Sequence, residues 1–318
     1  SAGLLALAVL APFRYIAPAY AHPPAGQLAP DGPSQPGVPV RFADKIELLD
    51  YTISPMEIKP GSVLHLSFEW RALAPMDTSY KLFVHVLGYD GELLTQLDTI
   101  PYRGRFATVL WKPGQEFRDE YDLFITGKAA PSLGRIQVGF YPWNDPGARL
   151  PVYHSDGQPL GGHFELRPFK IAPKRIEQPE IPRSVDARFS DHIALLGYAA
   201  PSAIRVGEPL PLTLYWRASA PVAGDYMVFI HLLKPDGEIV VQQDVPPQRG
   251  NYPTSIWGPE EIVTDEHVLQ IPADLAPDRY ALAVGLYQPQ TGVRLPLTLD
   301  GRPVPEGRAL IGDIAVRP

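Results

Sequence analysis

The chain contains the same strand-like segment twice, with the two copies 146 residues apart. The first copy is Leu64 to Trp70, in which apolar residues at 64, 66, 68 and 70 alternate with polar residues. The second copy is Leu210 to Trp216, and Arg-Ala follows both copies. Alternation with a period of two is typical of a strand that buries one face. The repeated segment therefore predicts a β-strand in each of two related domains.

The repetition extends far beyond this strand. The matched positions include His85 and His231, Asp90-Gly91 and Asp236-Gly237, Trp111 and Trp257, Gly139 and Gly285, and Arg149-Leu150-Pro151 and Arg294-Leu295-Pro296. A period near 146 residues is too long for a solenoid unit of about 20 to 50 residues, so it indicates a duplicated domain. Seven or eight short alternating strands per copy predict an all-β fold of two tandem antiparallel β-sandwiches, Ig-like or jelly-roll-like, with the strand order left open.

Five segments follow from the pattern along the chain. A hydrophobic helix or membrane-exit segment at 1–21 precedes a Pro/Gly-rich linker at 22–40. The first repeat is expected at 41–173, a charged linker at 174–187 and the second repeat at 188–318.

The apolar run at 1–11 is too short to cross a bilayer alone, which takes about 20 residues. It is interpreted as the end of a membrane helix, as a helix docked on the domains, or as a processed N-terminus that packs with its copies. The residues expected to contact membrane or assembly partners are Leu4, Leu5, Leu7, Val9, Leu10, Phe13 and Tyr15.

Net charge and cysteine content exclude several classes of function for this chain. The net charge of −7 argues against nucleic acid as a partner, because such binding needs a basic surface. The absence of cysteine excludes disulfides, thiolate metal sites and cysteine nucleophiles. Proline makes up 38 of 318 residues, about twice its usual share, which indicates many short strands joined by rigid loops.

No catalytic constellation stands out, so no enzymatic activity, cofactor or metal is predicted. The Gly-x-Ser-x-Gly, Walker and dinucleotide motifs are absent from the sequence. His85 and His231 lack the closely spaced partners of a metal ligand and are interpreted as packed or solvated strand residues on the face opposite Leu82, Val84 and Val86.

Two equivalent loops combine aromatic residues with arginine and glycine, and loops are where binding groups concentrate. The candidate ligand-binding residues are Tyr102, Arg103, Trp111, Arg249, Tyr252 and Trp257. Two interpretations remain open. The rings could hold a sugar, or Trp111 and Trp257 could plug the ends of the two sandwiches. Trp70 and Trp216 are expected in the cores.

The second repeat carries a family resemblance. The segments concerned are Leu214-Tyr215-Trp216-Arg217-Ala218, Tyr226 to Leu233, Tyr252 to Trp257 and Val284-Gly285-Leu286-Tyr287. They resemble the tandem β-sandwich region at the C-terminus of bacterial multi-span, lipid-carrier-dependent glycosyltransferases of the protein-mannosyltransferase type. The entry from Pro12 to Tyr20 is similar to the exit from their last membrane helix. In such a parent the catalytic acid lies between early membrane helices, which nothing in this chain matches.

Two functions are therefore expected. The first is a non-catalytic, extracytoplasmic structural and interaction protein of the cell surface, a filament or surface-assembly subunit that self-associates through sandwich edges and the apolar N-terminus. The alternative is a carbohydrate- or lipid-linked-sugar-binding accessory region of a membrane glycosyltransferase, with glycans as partners.

Overall fold

The chain folds almost entirely into β-strands. The computed structural model describes residues 37–318, of which 51% lie in strands and 5% in helical turns. Within this described part there is no helix of seven or more residues, so the all-β prediction is confirmed. The predicted N-terminal helix, its membrane or assembly residues, and linker residues 22–36 lie outside the described residues.

The described residues divide into two compact units between Pro173 and Lys174. The strands of the first unit are β1 (Val40–Phe42), β2 (Ile46–Ser54), β3 (Glu57–Ile58), β4 (Val63–Ala72), β5 (Tyr80–Leu87), β6 (Leu93–Thr99), β7 (Glu116–Phe124), β8 (Ser132–Pro142), β9 (Val152–His154), β10 (Pro159–Gly161), β11 (Phe164–Glu165) and β12 (Phe169–Ile171). Its 3-10 turns are Tyr89–Gly91 and Thr108–Leu110.

The second unit repeats this series. Its strands are β13 (Arg183–Phe189), β14 (Ile193–Ala199), β15 (Ala203–Arg205), β16 (Leu210–Ala218), β17 (Met227–Leu233), β18 (Ile239–Val245), β19 (Ile262–Leu269), β20 (Asp278–Tyr287), β21 (Leu297–Leu299), β22 (Arg302–Val304) and β23 (Ala309–Arg317). Its 3-10 turns are Pro247–Gly250 and Thr254–Ile256.

Both units have the same strand order. One sheet runs β10-β9-β1-β2-β4-β7 in the first unit and β22-β21-β13-β14-β16-β19 in the second. The other runs β3-β12-β8-β5-β6 and β15-β23-β20-β17-β18, respectively, and β11 adds to β8 in the first unit. Pairing is antiparallel except where β3 meets β12 and β15 meets β23. The duplication seen in the sequence is therefore a duplication of topology.

The alternating pattern of the repeated strand separates core from surface as expected. In β4, the side chains of Leu64, Leu66, Phe68 and Trp70 are buried, whereas His65 is exposed. In each unit the apolar side chains of both sheets form one continuous core, which is the arrangement of a β-sandwich. Trp70 and Trp216 are fully buried within these cores.

The second unit begins earlier than the sequence pattern indicates. Strand β13 starts at Arg183, inside the predicted linker 174–187, and pairs with β14 at Gly197 and Tyr198. A Cβ atom at Gly197 would lie 2.2 Å from the Arg183 carbonyl oxygen and 2.5 Å from the Ile181 Cγ2. Because Gly197 has no side chain, β13 has room to pair with β14 at this position. The sequence that leads into β13 is charged and rich in proline, so its composition did not indicate a strand.

Candidate functional site

The two loops that hold the candidate ligand residues have the same strained backbone. Edge loop 1 (residues 100–112) joins β6 to β7, and edge loop 2 (residues 246–258) joins β18 to β19. Tyr102 and Arg103 have φ angles of 57° and 54°, and Gln248 and Arg249 have φ angles of 48° and 56°. A glycine with positive φ follows each pair. Such angles are costly for non-glycine residues, so something must hold both loops in place.

A buried carboxylate holds the strained residue in each loop. The Tyr102 N–H donates to Asp119 Oδ2 at 3.0 Å, and the Gln248 N–H donates to Asp265 Oδ1 at 2.7 Å. Both aspartates are almost completely buried. The Tyr121 hydroxyl also donates to Asp119 Oδ2, at 2.5 Å. The carboxylates thus offset the backbone strain with hydrogen bonds to a negatively charged acceptor.

Asp265 has a larger set of partners than Asp119. Its Oδ2 accepts from Trp216 Nε1 at 3.3 Å and lies 2.8 Å from His267 Nε2. His267 Nδ1 lies 3.2 Å from Gln243 Oε1 on β18. This buried network ties the second sandwich's core, edge loop and neighbouring edge strand together.

Burial sets the ionisation of the first carboxylate. Desolvation raises the pKa of Asp119 to about 6, although hydrogen bonds from Tyr121 and from the Tyr102 N–H partly oppose the rise. Burial, with the nearby Asp119 charge, also raises the pKa of the Tyr121 phenol, so the proton of the pair stays on the tyrosine. Burial likewise raises the pKa of Tyr102 to about 12, which keeps its hydroxyl a donor.

The loops cap edge strands. The Tyr102 hydroxyl donates to the Arg118 carbonyl of β7, and Gln248 Nε2 donates to the Thr264 carbonyl of β19 at 2.9 Å. Arg118 and Thr264 occupy equivalent positions 146 residues apart. Each loop therefore occupies a main-chain acceptor of a strand at the end of its sheet, where unpaired groups invite association with other strands.

The four candidate aromatic rings are packed inside the protein. Tyr102 is 7% exposed, and Trp111, Tyr252 and Trp257 are each 3% exposed. Trp111 Nε1 donates to the Phe106 carbonyl at 3.2 Å. The equivalent Trp257 Nε1 donates to the Tyr252 carbonyl at 2.9 Å. Trp111 and Trp257 therefore belong to the two hydrophobic cores, and their buried rings leave no open face on which a sugar could stack.

The structure places the candidate arginines differently from these rings. Arg103 and Arg249 are both exposed. Arg103 Nη2 lies 3.6 Å from Asp122 Oδ2, and Asp122 also contacts His65 Nδ1. In the second unit the positions of Asp122 and His65 are taken by valine and proline, so this charged surface group belongs to the first unit alone.

A second repeated constellation, which the sequence did not single out, lies on the outer face of the other sheet. The Arg149 guanidinium lies 4.5 Å from the Phe83 ring centroid, and the His85 ring lies 5.0 Å from that same ring. The Tyr141 hydroxyl donates to Asp98 Oδ1 at 2.8 Å. The second unit repeats the arrangement with Phe229, His231, Asp244, Tyr287 and Arg294. In the sequence, the recurrence of Arg-Leu-Pro at residues 149–151 and 294–296 was a signal that could have indicated this arrangement.

This outer-face cluster is packed rather than open. His85 and His231 lie opposite the core-facing residues, as predicted, and burial lowers the pKa of both. A Cβ atom at Gly139 would lie 2.5 Å from the Phe83 ring, and one at Gly285 would lie 2.2 Å from the Phe229 ring. The two glycines make space for the phenylalanines, and each arginine then covers its phenylalanine from the solvent side.

The described residues contain neither a metal-binding cluster nor a membrane-spanning helix. Among residues 37–318, no group of three or more His, Asp or Glu side chains is arranged to hold a metal ion. Asp156 and Asp236 accept from the N–H two residues later, at 3.0 Å in both cases, as in turns. Over the same range, no helix has the length and apolar character needed to cross a membrane.

Comparison with known proteins assigns no family. No family model matches the chain, and no curated protein matches it. Among solved structures, the chain matches the native conformation of Escherichia coli alpha-2-macroglobulin with 12% identity and a TM-score of 0.24. That match covers 90% of this chain but only 14% of the other chain. A similarity at this level carries no argument about fold or function.

Proposed function

We propose that the chain is a non-catalytic, extracytoplasmic interaction protein of the cell surface that associates with copies of itself. The observation that carries the proposal is an exposed apolar pair, Val63 on β4 and Phe124 on β7, which face each other directly in the sheet register. Phe124 is 59% exposed and Val63 is 39% exposed. Exposed apolar side chains that adjoin one another form a patch that a protein–protein contact can bury.

The exposed pair adds a sheet face to the surfaces expected to self-associate. Self-association through sandwich edges and the apolar N-terminus was the expected route; at the β7 and β19 edges, Tyr102 and Gln248 each occupy one main-chain carbonyl group. The contact that we propose is the outer sheet face around Phe124, where a second copy can present the same exposed pair about a two-fold axis. The second unit has Pro209 and Gln270 at the equivalent positions and lacks this apolar pair.

Sedimentation velocity over a wide concentration range tests self-association of the full chain. We expect a mass above that of the 35.0 kDa monomer at high concentration. Val63→Ser with Phe124→Ser should weaken the association at least tenfold. The matched control is Val293→Ser, a 63% exposed apolar residue of the second unit, which should leave it unchanged. A monomer at every concentration contradicts the proposal.

Binding of glycans, as an accessory region of a membrane glycosyltransferase, is a second candidate. It is supported by the family resemblance and by the exposed positions of Arg103 and Arg249 on equivalent strained loops. Its test is titration of the full chain with a panel of neutral and acidic oligosaccharides. We expect binding that Arg103→Ala with Arg249→Ala abolishes. The absence of binding by the unaltered chain removes this candidate.

A further inference from the structure

We infer that edge loop 1 is a docking tip for anionic lipid surfaces. This inference goes beyond the proposed function, because it concerns a different surface and a different partner. Val109 and Leu110 are two neighbouring apolar side chains that are 42% and 37% exposed. They lie in the 3-10 turn Thr108–Leu110, at the outside of the loop.

The turn presents these two side chains from rigid anchors. Thr108 is fully buried, and its Oγ1 accepts from the Tyr80 N–H at 2.9 Å. Trp111 is buried on the other side, and its N–H donates to the Thr108 carbonyl at 3.0 Å. Because the backbone is fixed on both sides of the apolar pair, entry into a lipid interface requires little additional ordering of the loop.

Cationic residues flank the apolar pair along the chain. Arg105 and Lys112 are exposed, as is Arg103, whose Nη2 lies 3.6 Å from Asp122 Oδ2 on β7, and no acidic residue occurs from residue 100 to residue 115. Arg105 Nε donates to the Tyr102 carbonyl at 3.2 Å, and no described residue forms an ion pair with Arg105 or Lys112. This cationic stretch stands out in a chain whose net charge is −7.

The cations of edge loop 1 and its exposed apolar side chains together favour an anionic lipid surface as the partner. Cations beside a membrane surface are attracted to anionic headgroups, and apolar side chains between them enter the headgroup boundary. A purely acidic polymer would satisfy the cations but would leave Val109 and Leu110 in water. An anionic lipid surface satisfies both features at once.

Edge loop 2 provides an internal comparison. At the positions of Val109 and Leu110 it has Ser255 and the half-buried Ile256, and at the position of Arg105 it has Asn251. The same loop conformation therefore exists twice, but only the first copy carries exposed apolar and clustered cationic side chains. This difference predicts that only edge loop 1 binds lipid.

The absence of cysteine allows a local test in the full chain. Val109→Cys and Ser255→Cys each introduce one thiol, at equivalent positions, for an environment-sensitive fluorophore. With vesicles of equal parts phosphatidylglycerol and phosphatidylcholine, we expect a blue shift for the label at residue 109 and none for the label at 255. Pure phosphatidylcholine vesicles should give no shift at either position.

Charge removal completes the test. Arg105→Gln and Lys112→Gln, made in the Val109→Cys protein, should weaken the vesicle-induced shift by about fivefold for each cation removed. Arg188→Gln, at an exposed arginine of the second unit, is the control and should leave it unchanged. An unshifted label at residue 109 overturns the inference even if the protein sediments with vesicles through another segment. A response to a soluble acidic polymer without a response to vesicles also overturns it.

Discussion

The backbone N–H of Tyr102 lies 3.0 Å from the buried carboxylate of Asp119, and this hydrogen bond holds a tyrosine in a left-handed conformation. Gln248 and Asp265 form the same bond at 2.7 Å in the second sandwich. The loop residue differs between the two copies, whereas the aspartate does not. The buried acceptor is therefore what defines the loop conformation, and the side chain above it is free to vary.

Removal of the second carboxylate should destabilise the second unit strongly. Asp265→Ala leaves Trp216 Nε1, the Gln248 N–H and His267 without their acceptor in a buried site. Each unsatisfied donor costs about 1 to 3 kcal/mol, so we expect a loss of about 3 kcal/mol or more in the free energy of unfolding. Denaturant unfolding of the full chain measures it. Asp274→Ala, at an exposed aspartate, is the control, and an equal loss in both variants contradicts the prediction.

The Asp119 carboxyl should make the first unit more stable in acid than at neutral pH. Its folded-state pKa of about 6 lies above the ordinary value of 3.8, so the folded protein binds the proton more tightly than the unfolded chain does. The resulting stability is present below about pH 4 and is lost as the pH rises through 6. The difference of about two units corresponds to about 3 kcal/mol.

The variant Asp119→Asn isolates this contribution. The amide oxygen can still accept from the Tyr102 N–H and the Tyr121 hydroxyl, but it does not titrate. We expect the free energy of unfolding of the unaltered chain to fall relative to that of the variant between pH 4 and pH 7. If the free energy of unfolding changes with pH in the same way for both proteins over this range, the raised pKa of Asp119 is not the cause and the prediction is wrong.

The glycine beneath the outer-face phenylalanine should resist substitution. Gly285→Ala places a Cβ atom 2.2 Å from the Phe229 ring and 2.7 Å from the Gly307 carbonyl oxygen. Overpacking of this kind costs about 1 to 3 kcal/mol, measurable as a lower free energy of unfolding. Phe229→Leu in the same protein should cancel part of the loss. Gly224→Ala, where a Cβ meets nothing within 4 Å, is the control. If the losses in the free energy of unfolding caused by Gly285→Ala and Phe229→Leu simply add, the predicted contact between the new Cβ atom and the Phe229 ring is contradicted.

The two buried threonines should contribute similar stability. Thr108 Oγ1 accepts from the Tyr80 N–H at 2.9 Å, and Thr254 Oγ1 accepts from the Tyr226 N–H at 3.0 Å. Replacement of either by valine leaves a backbone donor at the start of a strand unsatisfied, at a cost of about 1 to 3 kcal/mol. Thermal unfolding of Thr108→Val and Thr254→Val measures both losses, with Thr52→Val, at an exposed threonine of β2, as the surface control. A loss in only one unit would show that the copies have diverged there.

The residue pattern predicted the fold more fully than the site. Alternation in β4 assigned Leu64 and Trp70 to the core and His65 to the surface, because side chains on a strand alternate between its two faces. It also placed His85 opposite the core-facing side chains, where the structure has it. The same pattern could not decide whether Trp111 was exposed, since a loop has no periodicity that assigns its side chains to a face.

The sequence by itself determined that this chain is a duplicated all-β protein and which strand residues face each core. The period of two and the recurrence of core and turn residues 146 positions apart depend only on local order along the chain. Only the tertiary structure decided that Asp119 and Asp265 hold the edge loops, that Trp111 and Trp257 are buried, and that Val109 and Leu110 are not. These outcomes depend on distances between residues far apart in sequence, and such distances are fixed only when the two sheets and their edges are packed together.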